Sequence, residues 1–164
     1  MIDTYLLIYI IISRLFELKL SKKNTQKLKE DGAIELYSFH YKFIVIFHVI
    51  FITYFFVKSF YNMNLSFEYL YLFIIIQILR YKIIYDLGVY WTTRILVINK
   101  PLIKTWMFKY FRHPNYIIVF CEIVLVCLFF NDYYSLLFFS IVKLILICIR
   151  IFFEEKANRF RREL

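Results

Sequence analysis

Glycine is almost absent from this chain, with only Gly32 and Gly88 among its 164 residues. Two isolated glycines cannot write a phosphate-cradling P-loop or a dinucleotide-binding fingerprint, so any nucleotide-like ligand must be held by other means. Cysteine is nearly as scarce. Cys121, Cys127 and Cys148 lie in apolar runs without C-x-x-C spacing or a local His partner. They read as buried thiols, and neither a disulfide framework nor a metal centre is expected. Acidic residues are also few, 12 against 21 Lys and Arg, for a formal net charge of +9. On a soluble protein that excess would suggest nucleic acid. Here the basic residues fall between apolar segments, where membrane topology explains them better, and no nucleic-acid partner is expected.

What the chain has in abundance is apolar surface. Hydrophobic residues make up 62% of it, including 20 Phe and 15 Tyr, against roughly 45–50% in soluble domains. The sequence therefore predicts an all-α integral membrane protein, a single domain over residues 1–164. Five spans are expected, at about 2–18, 43–60, 67–84, 116–130 and 133–153, since a crossing helix takes about 20 apolar residues. The first is read as a retained span: it has no basic n-region and no small-residue cleavage site. The last two form a helical hairpin around Asn131-Asp132. Eighteen of the 21 basic residues fall in segments 19–42 and 80–112 and in the tail from 150, while the turns at 61–66 and 131–132 carry none. That asymmetry predicts an N-terminus outside and a C-terminus in the cytoplasm.

Five charges fall within or near the spans without such an excuse. Arg14 and Glu17, three apart on one helix face, are expected to pair, and Lys58 to snorkel from its helix end. Glu122 and Lys143 each lie about ten residues from the hairpin turn, roughly 15 Å deep. They are expected either to pair with each other or to face a wet cavity, a purely structural interhelical salt bridge being the alternative.

The stretch "FRHPNY", residues 111–116, opens the fourth span, and Arg150 with Glu154-Glu155 closes the fifth. A hairpin makes these ends neighbours. Pro114 suits the first position of a helix, where no N–H is needed. The amides of Asn115, Tyr116 and Ile117 are expected to be free for an anion such as a carboxylate. Arg150 and Glu154 share a helix face; the one can grip a carboxylate, the other can complement an ammonium or sulfonium or accept from ribose hydroxyls. Tyr116 offers a ring for stacking. A ligand with an amino-acid end, a cation and a ribose fits this inventory. The competing reading is ordinary membrane-boundary decoration.

R-H-P-x-Y before one span and R-x-x-x-E-E after the next, here Arg112 to Tyr116 and Arg150 to Glu155, resemble the isoprenylcysteine carboxyl methyltransferase family. "GAIELYSFHY" (32–41) and "LGVYWTTRI" (87–95) look like stretches of its short bacterial branch, some of whose members methylate long-chain alkylpyrones. The resemblance implies O-methyl transfer from S-adenosylmethionine to a lipophilic carboxylate, phenol or enol, with the catalytic region at about 85–164. It implies cofactor contacts from Lys100, Pro101, Leu102 and Ile103, from Phe108, from His113, Pro114, Asn115 and Tyr116, and from Glu154. Arg150 corresponds to the family's substrate-orienting Arg, so Arg150 and Glu154 are the expected catalytic pair. The chain departs from the family where a Gly-x-Tyr usually precedes the motif; Trp106-Met107-Phe108 stands there instead. Location in a bacterial cytoplasmic membrane, with the site facing the cytoplasm, is the corresponding expectation, with membrane lipids and a lipophilic or lipidated substrate as partners. A phospholipid N-methyltransferase, a nicotinamide-dependent reductase of the same scaffold and a non-enzymatic membrane protein are the alternatives.

Overall fold

The computed structural model describes residues 2–61, 65–99 and 106–159, with Trp106 described by its backbone alone. Its helices are α1 (Ile2–Glu30), α2 (Phe39–Lys58), α3 (Glu68–Leu87), the short α4 (Trp106–Tyr110), α5 (Pro114–Phe129) and α6 (Tyr133–Ala157). Two-residue strands β1 (Ile34–Glu35) and β2 (Leu96–Val97) pair antiparallel, Ile34 opposite Val97. Among the described residues, α2 and α6 are long and apolar enough to cross a membrane, and α5 is apolar but shorter.

The amphipathicity is inverted relative to a soluble bundle. α1 buries Ser13, Glu17, Ser21, Asn24 and Thr25 along one stripe and exposes Tyr5, Ile8, Ile12, Leu15 and Phe16. A helix with polar groups inward and apolar groups outward is stable only where the surroundings are apolar, the arrangement expected in a bilayer. α1 is also longer than the span read for it, running unbroken through the basic segment to Glu30.

The bundle has two unlike ends. At the turn end the core is apolar and aromatic: Leu6, Leu7 and Ile10 of α1 meet Phe47, Phe51 and Phe55 of α2, Phe73 of α3, Ile123, Leu125, Val126, Cys127 and Phe129 of α5, Phe130 just after it and Phe139 of α6. Phe51 packs edge-on against Phe139 with ring centres 5.0 Å apart, a favoured aromatic geometry. Here Ser66 N–H donates to the Phe129 carbonyl at 3.0 Å and its hydroxyl to Asn131 Oδ1 at 3.0 Å, joining the two turns that lack basic residues. The hairpin turn is tight because Asn131 takes a left-handed φ of 50°, which Asn tolerates better than most residues.

At the opposite end lie the polar core and the loops. Gly88, at φ 51°, ends α3, and the chain turns through Gly88–Tyr90 toward β2. Asn24 Nδ2 donates to the carbonyls of Gly88 (3.0 Å) and Trp91 (2.8 Å), and Ser21 meets Thr93 at 2.8 Å. The polar stripe of α1 thus holds loop 88–93 in place. Glu35 is bonded by Lys29 at 2.7 Å and by Arg94 at 2.5 Å, which locks β1 to β2. The stretches 32–41 and 87–95, distant in sequence, are therefore one structure.

Candidate functional site

The intramembrane charges form one network, with different partners from those expected of Glu122 and Lys143. Arg14 pairs with Glu17 at 2.8 Å, as its spacing predicts. Arg80 grips Glu17 through two nitrogens, one at 2.6 Å, and reaches Glu122 at 2.5 Å. Arg14 also meets Glu122 at 2.5 Å, and Gln77 completes that carboxylate at 2.5 Å. Glu122 is therefore spent on α1 and α3, and Lys143 turns instead to His48 of α2, 3.1 Å away. Residue counting puts the two at one level, but their partners lie on different helices, α1 and α3 for Glu122 and α2 for Lys143. At the turn end Lys58 finds a partner in Asp132.

The hairpin mouth is assembled as its two motifs predict. Pro114 is the first residue of α5. Tyr116 Oη donates to Glu154 and accepts from Arg150 Nε at 2.9 Å, so one hydroxyl joins the two residues on α6. The Tyr116 ring stacks on His113 with centres 5.5 Å apart and planes at 22°. Glu155 meets Arg112 at 3.0 Å and His113 at 3.4 Å. Arg150 and Glu154 thus face inward, while Glu155 braces the motif from outside.

The expected amide cradle is smaller than the motif suggests. His113 caps α5, and its carbonyl accepts from Tyr116 N–H at 3.1 Å and Ile117 N–H at 3.5 Å. A cap residue's carbonyl takes the first bonds of its helix, so two of the three expected donors, those of Tyr116 and Ile117, are spent within the helix. Lys100, Pro101, Leu102 and Ile103 lie outside the described residues.

Two cavities meet at this mouth. The first, about 190 Å³, brings together Phe108, His113, Pro114, Asn115, Tyr116, Arg150 and Glu154 with Tyr90, Trp91, Arg94 and Ile95 of the loop. The second, about 350 Å³, runs between α1, α2 and α6 and is mostly apolar, with Leu15, Leu18, Val49, Ile52, Leu146 and Ile147 in its walls. Trp91, Thr92, Asn115, Tyr116 and Arg150 line both. Leu15 and Val49 are more than half exposed on the outer surface, so the second cavity is walled in part by residues that face outward.

At that shared wall two polar atoms are buried without partners among the described residues: Trp91 Nε1, a donor, and Asn115 Oδ1, an acceptor. Buried polar groups are ordinarily satisfied, so an unspent donor and acceptor suit a polar ligand carrying both functions. With the Glu154 carboxylate and the Tyr116 and Phe108 rings, they fit an amino-acid-bearing nucleoside. Sequence reasoning missed Trp91 and Thr92 as site residues. The only signal for them was their place in "LGVYWTTRI", just after one of the chain's two glycines.

Fold and site together describe a helical membrane protein in which the more polar of two chambers shares a wall with an apolar one. A family-wide sequence profile, that of the isoprenylcysteine carboxyl methyltransferase (ICMT) family, matches residues 69–158. The chain belongs to this family of membrane methyltransferases. It is 35% identical over 157 residues to the uncharacterized protein YpbQ of Bacillus subtilis (strain 168), covering 93% of this chain and 94% of that one. An uncharacterized protein of Haemophilus influenzae (strain ATCC 51907 / DSM 11121 / KW20 / Rd) is 28% identical over 155 residues, 90% of each chain. No solved structure matches the chain.

Proposed function

We propose that this chain is a membrane O-methyltransferase using S-adenosylmethionine, with the cofactor in the polar cavity and a lipophilic carboxylate, phenol or enol in the apolar one. The observation that carries this reading is the shared wall of Trp91, Thr92, Asn115, Tyr116 and Arg150. Two reactants of opposite solubility can meet only where their chambers touch. When bound, S-adenosylmethionine supplies an activated methyl group on a sulfonium.

The chain's own residues bind, orient and exclude water. Glu154, held by Tyr116, presents negative charge to a cationic cofactor, and Asn115 Oδ1 and Trp91 Nε1 have capacity for its polar groups. Phe108 and Tyr116 offer faces to a planar base. Arg150 is aimed by Tyr116 and orients an acidic acceptor oxygen toward the shared wall. Positioning of this kind supplies much of the catalysis in a displacement between preformed reactants. A carboxylate acceptor needs no general base. The first-turn amides contribute less than the motif suggests, which shifts weight to Asn115 and Glu154. A single domain of five spans, with this mouth on the cytoplasmic face of a bacterial cytoplasmic membrane, meets a water-soluble cofactor from one side and a membrane acceptor from the other.

The test is methyl transfer from labelled S-adenosylmethionine into extracted lipids, with the purified chain in nanodiscs. Wild type labels an O-methyl product, and Arg150→Ala and Glu154→Ala each lower the rate by about a hundredfold or more, the scale of losing a charged contact to the reacting groups. Wild-type rates in both variants, or label found on nitrogen, contradict the assignment.

A further inference from the structure

Lys143 is a buried cation that the site chemistry above does not use. It is 3% exposed, and its amino group lies 3.1 Å from His48 Nε2 and 5.3 Å from the centre of the Phe47 ring. Neither partner supplies a negative charge when the imidazole acts as acceptor. Among the described residues no carboxylate reaches Lys143 as an ion pair. Other cations within the helices are matched: Arg14 and Arg80 share Glu17 and Glu122, Lys58 has Asp132, and Arg150 reaches Glu154 through Tyr116. An unmatched ammonium in an apolar setting is expensive and marks a functional position.

Lys143 and His48 line the apolar cavity together with Arg150. Lys143 and Arg150 are seven residues apart on α6, two turns and about 10 Å along one helix face. We propose that Lys143, oriented by His48, determines acceptor specificity by charge: an ionised oxygen head of a single-chain amphiphile lies between Lys143 and Arg150, with its tail in the apolar cavity. That the cavity is the acceptor chamber rests on the methyl-transfer reading; the charge selection rests on Lys143 itself. A neutral head leaves Lys143 unmatched, and an amine head adds repulsion. The same residue therefore favours acidic oxygen acceptors over amino headgroups.

The experiment uses the full chain in a nonionic detergent without methyl donor, at neutral pH. Hexadecanoic acid, hexadecanol and hexadecylamine are titrated against tryptophan fluorescence, Trp91 being in the cavity wall. Wild type binds the acid about tenfold or more tighter than the alcohol, the scale of one charge contact in a low-dielectric site, and the amine weakest. Lys143→Met cuts the preference severalfold, leaving the part that Arg150 supplies, and Lys143→Arg keeps it, with Lys143→Gln as a second neutral variant should the Met variant not fold. Equal binding of acid and alcohol by wild type, or an acid preference undiminished in both neutral variants, overturns the proposal. Titration with S-adenosylhomocysteine on the same samples separates the two ideas. Unchanged affinity in Lys143→Met supports a role confined to the acceptor, whereas a wild type that does not bind it overturns the methyl-transfer reading and leaves charge selection to the first comparison.

Discussion

Tyr116 holds two opposite charges with one hydroxyl, donating to Glu154 and accepting from Arg150. It also stacks on His113 and lines both cavities, so the ring and the hydroxyl do separable work. Tyr116→Phe keeps the stacking and removes the link. The expected outcome is a fall in methyl-transfer rate of about tenfold to a hundredfold, corresponding to roughly 1.4–2.8 kcal/mol, without loss of the folded state. Initial rates with labelled donor measure it, and an unchanged rate shows that Arg150 and Glu154 hold their positions unaided. Arg80 presents the contrasting case, a structural charge touching two carboxylates on two other helices. Arg80→Ala leaves Glu17 and Glu122 undercompensated, and a loss of about 3–5 kcal/mol of stability is expected, read as failure to purify folded protein or a much lower melting temperature.

The α5–α6 hairpin is the element on which the site depends, and Asp132 is its hinge. Its side chain accepts from Ser135 N–H at 3.0 Å, capping α6, and is bonded by Lys58 and by Tyr54 at 2.8 Å. Burial opposes its ionisation, but the bonds from Lys58, Ser135 and Tyr54 outweigh that and hold the carboxyl well below the ordinary aspartate value of 3.8. A depressed folded value means the stabilisation is fully present above the unfolded value and is lost as pH falls through the folded one. Asp132→Ala is therefore expected to lower stability by about 1–2 kcal/mol, the cost of a lost cap, at neutral pH, with the gap to wild type closing only in strong acid. Thermal melts across pH measure this, and Asp132→Asn recovers part of the cap without the charge.

The hairpin was legible in the sequence because two long apolar runs flank Asn131-Asp132 and carry a motif at each far end. The partners of Glu122 and Lys143 were not. Counting residues from a turn gives depth but not direction around the helix axis, and Arg80 claims Glu122 from a helix that the hairpin arithmetic ignores. The two-residue strands were invisible for a related reason: four residues show no alternation, and their pairing depends on Glu35 meeting Lys29 and Arg94 across the fold. The Trp91 wall was equally hidden, since Asn24 and Ser21 position it from a stretch of α1 beyond the expected span, where the sequence reads only as a basic segment.

At the scale of the molecule, one end is aromatic and tightly packed while the other holds the charges, the cavities and the loops. The turn around 61 and the hairpin turn lie together, and β1, β2 and the mouth lie at the opposite end. With most basic residues in segments at the mouth end, the mouth is expected to face the cytoplasm. Single-cysteine reporters at Tyr61 or Asn131, in a chain whose Cys121, Cys127 and Cys148 are replaced by Ser, should react with an impermeant maleimide in intact cells. Reporters at Glu30 or Arg159, both exposed, should react only after lysis; the reverse pattern inverts the topology.

The proposed reaction depends on S-adenosylmethionine occupying the polar chamber at the hairpin mouth. Calorimetric titration of the purified chain with S-adenosylhomocysteine reads that occupancy. One site per chain with micromolar affinity, roughly −8 kcal/mol, is expected, weakened about tenfold or more by Glu154→Ala. No heat of binding from folded wild-type protein would contradict it.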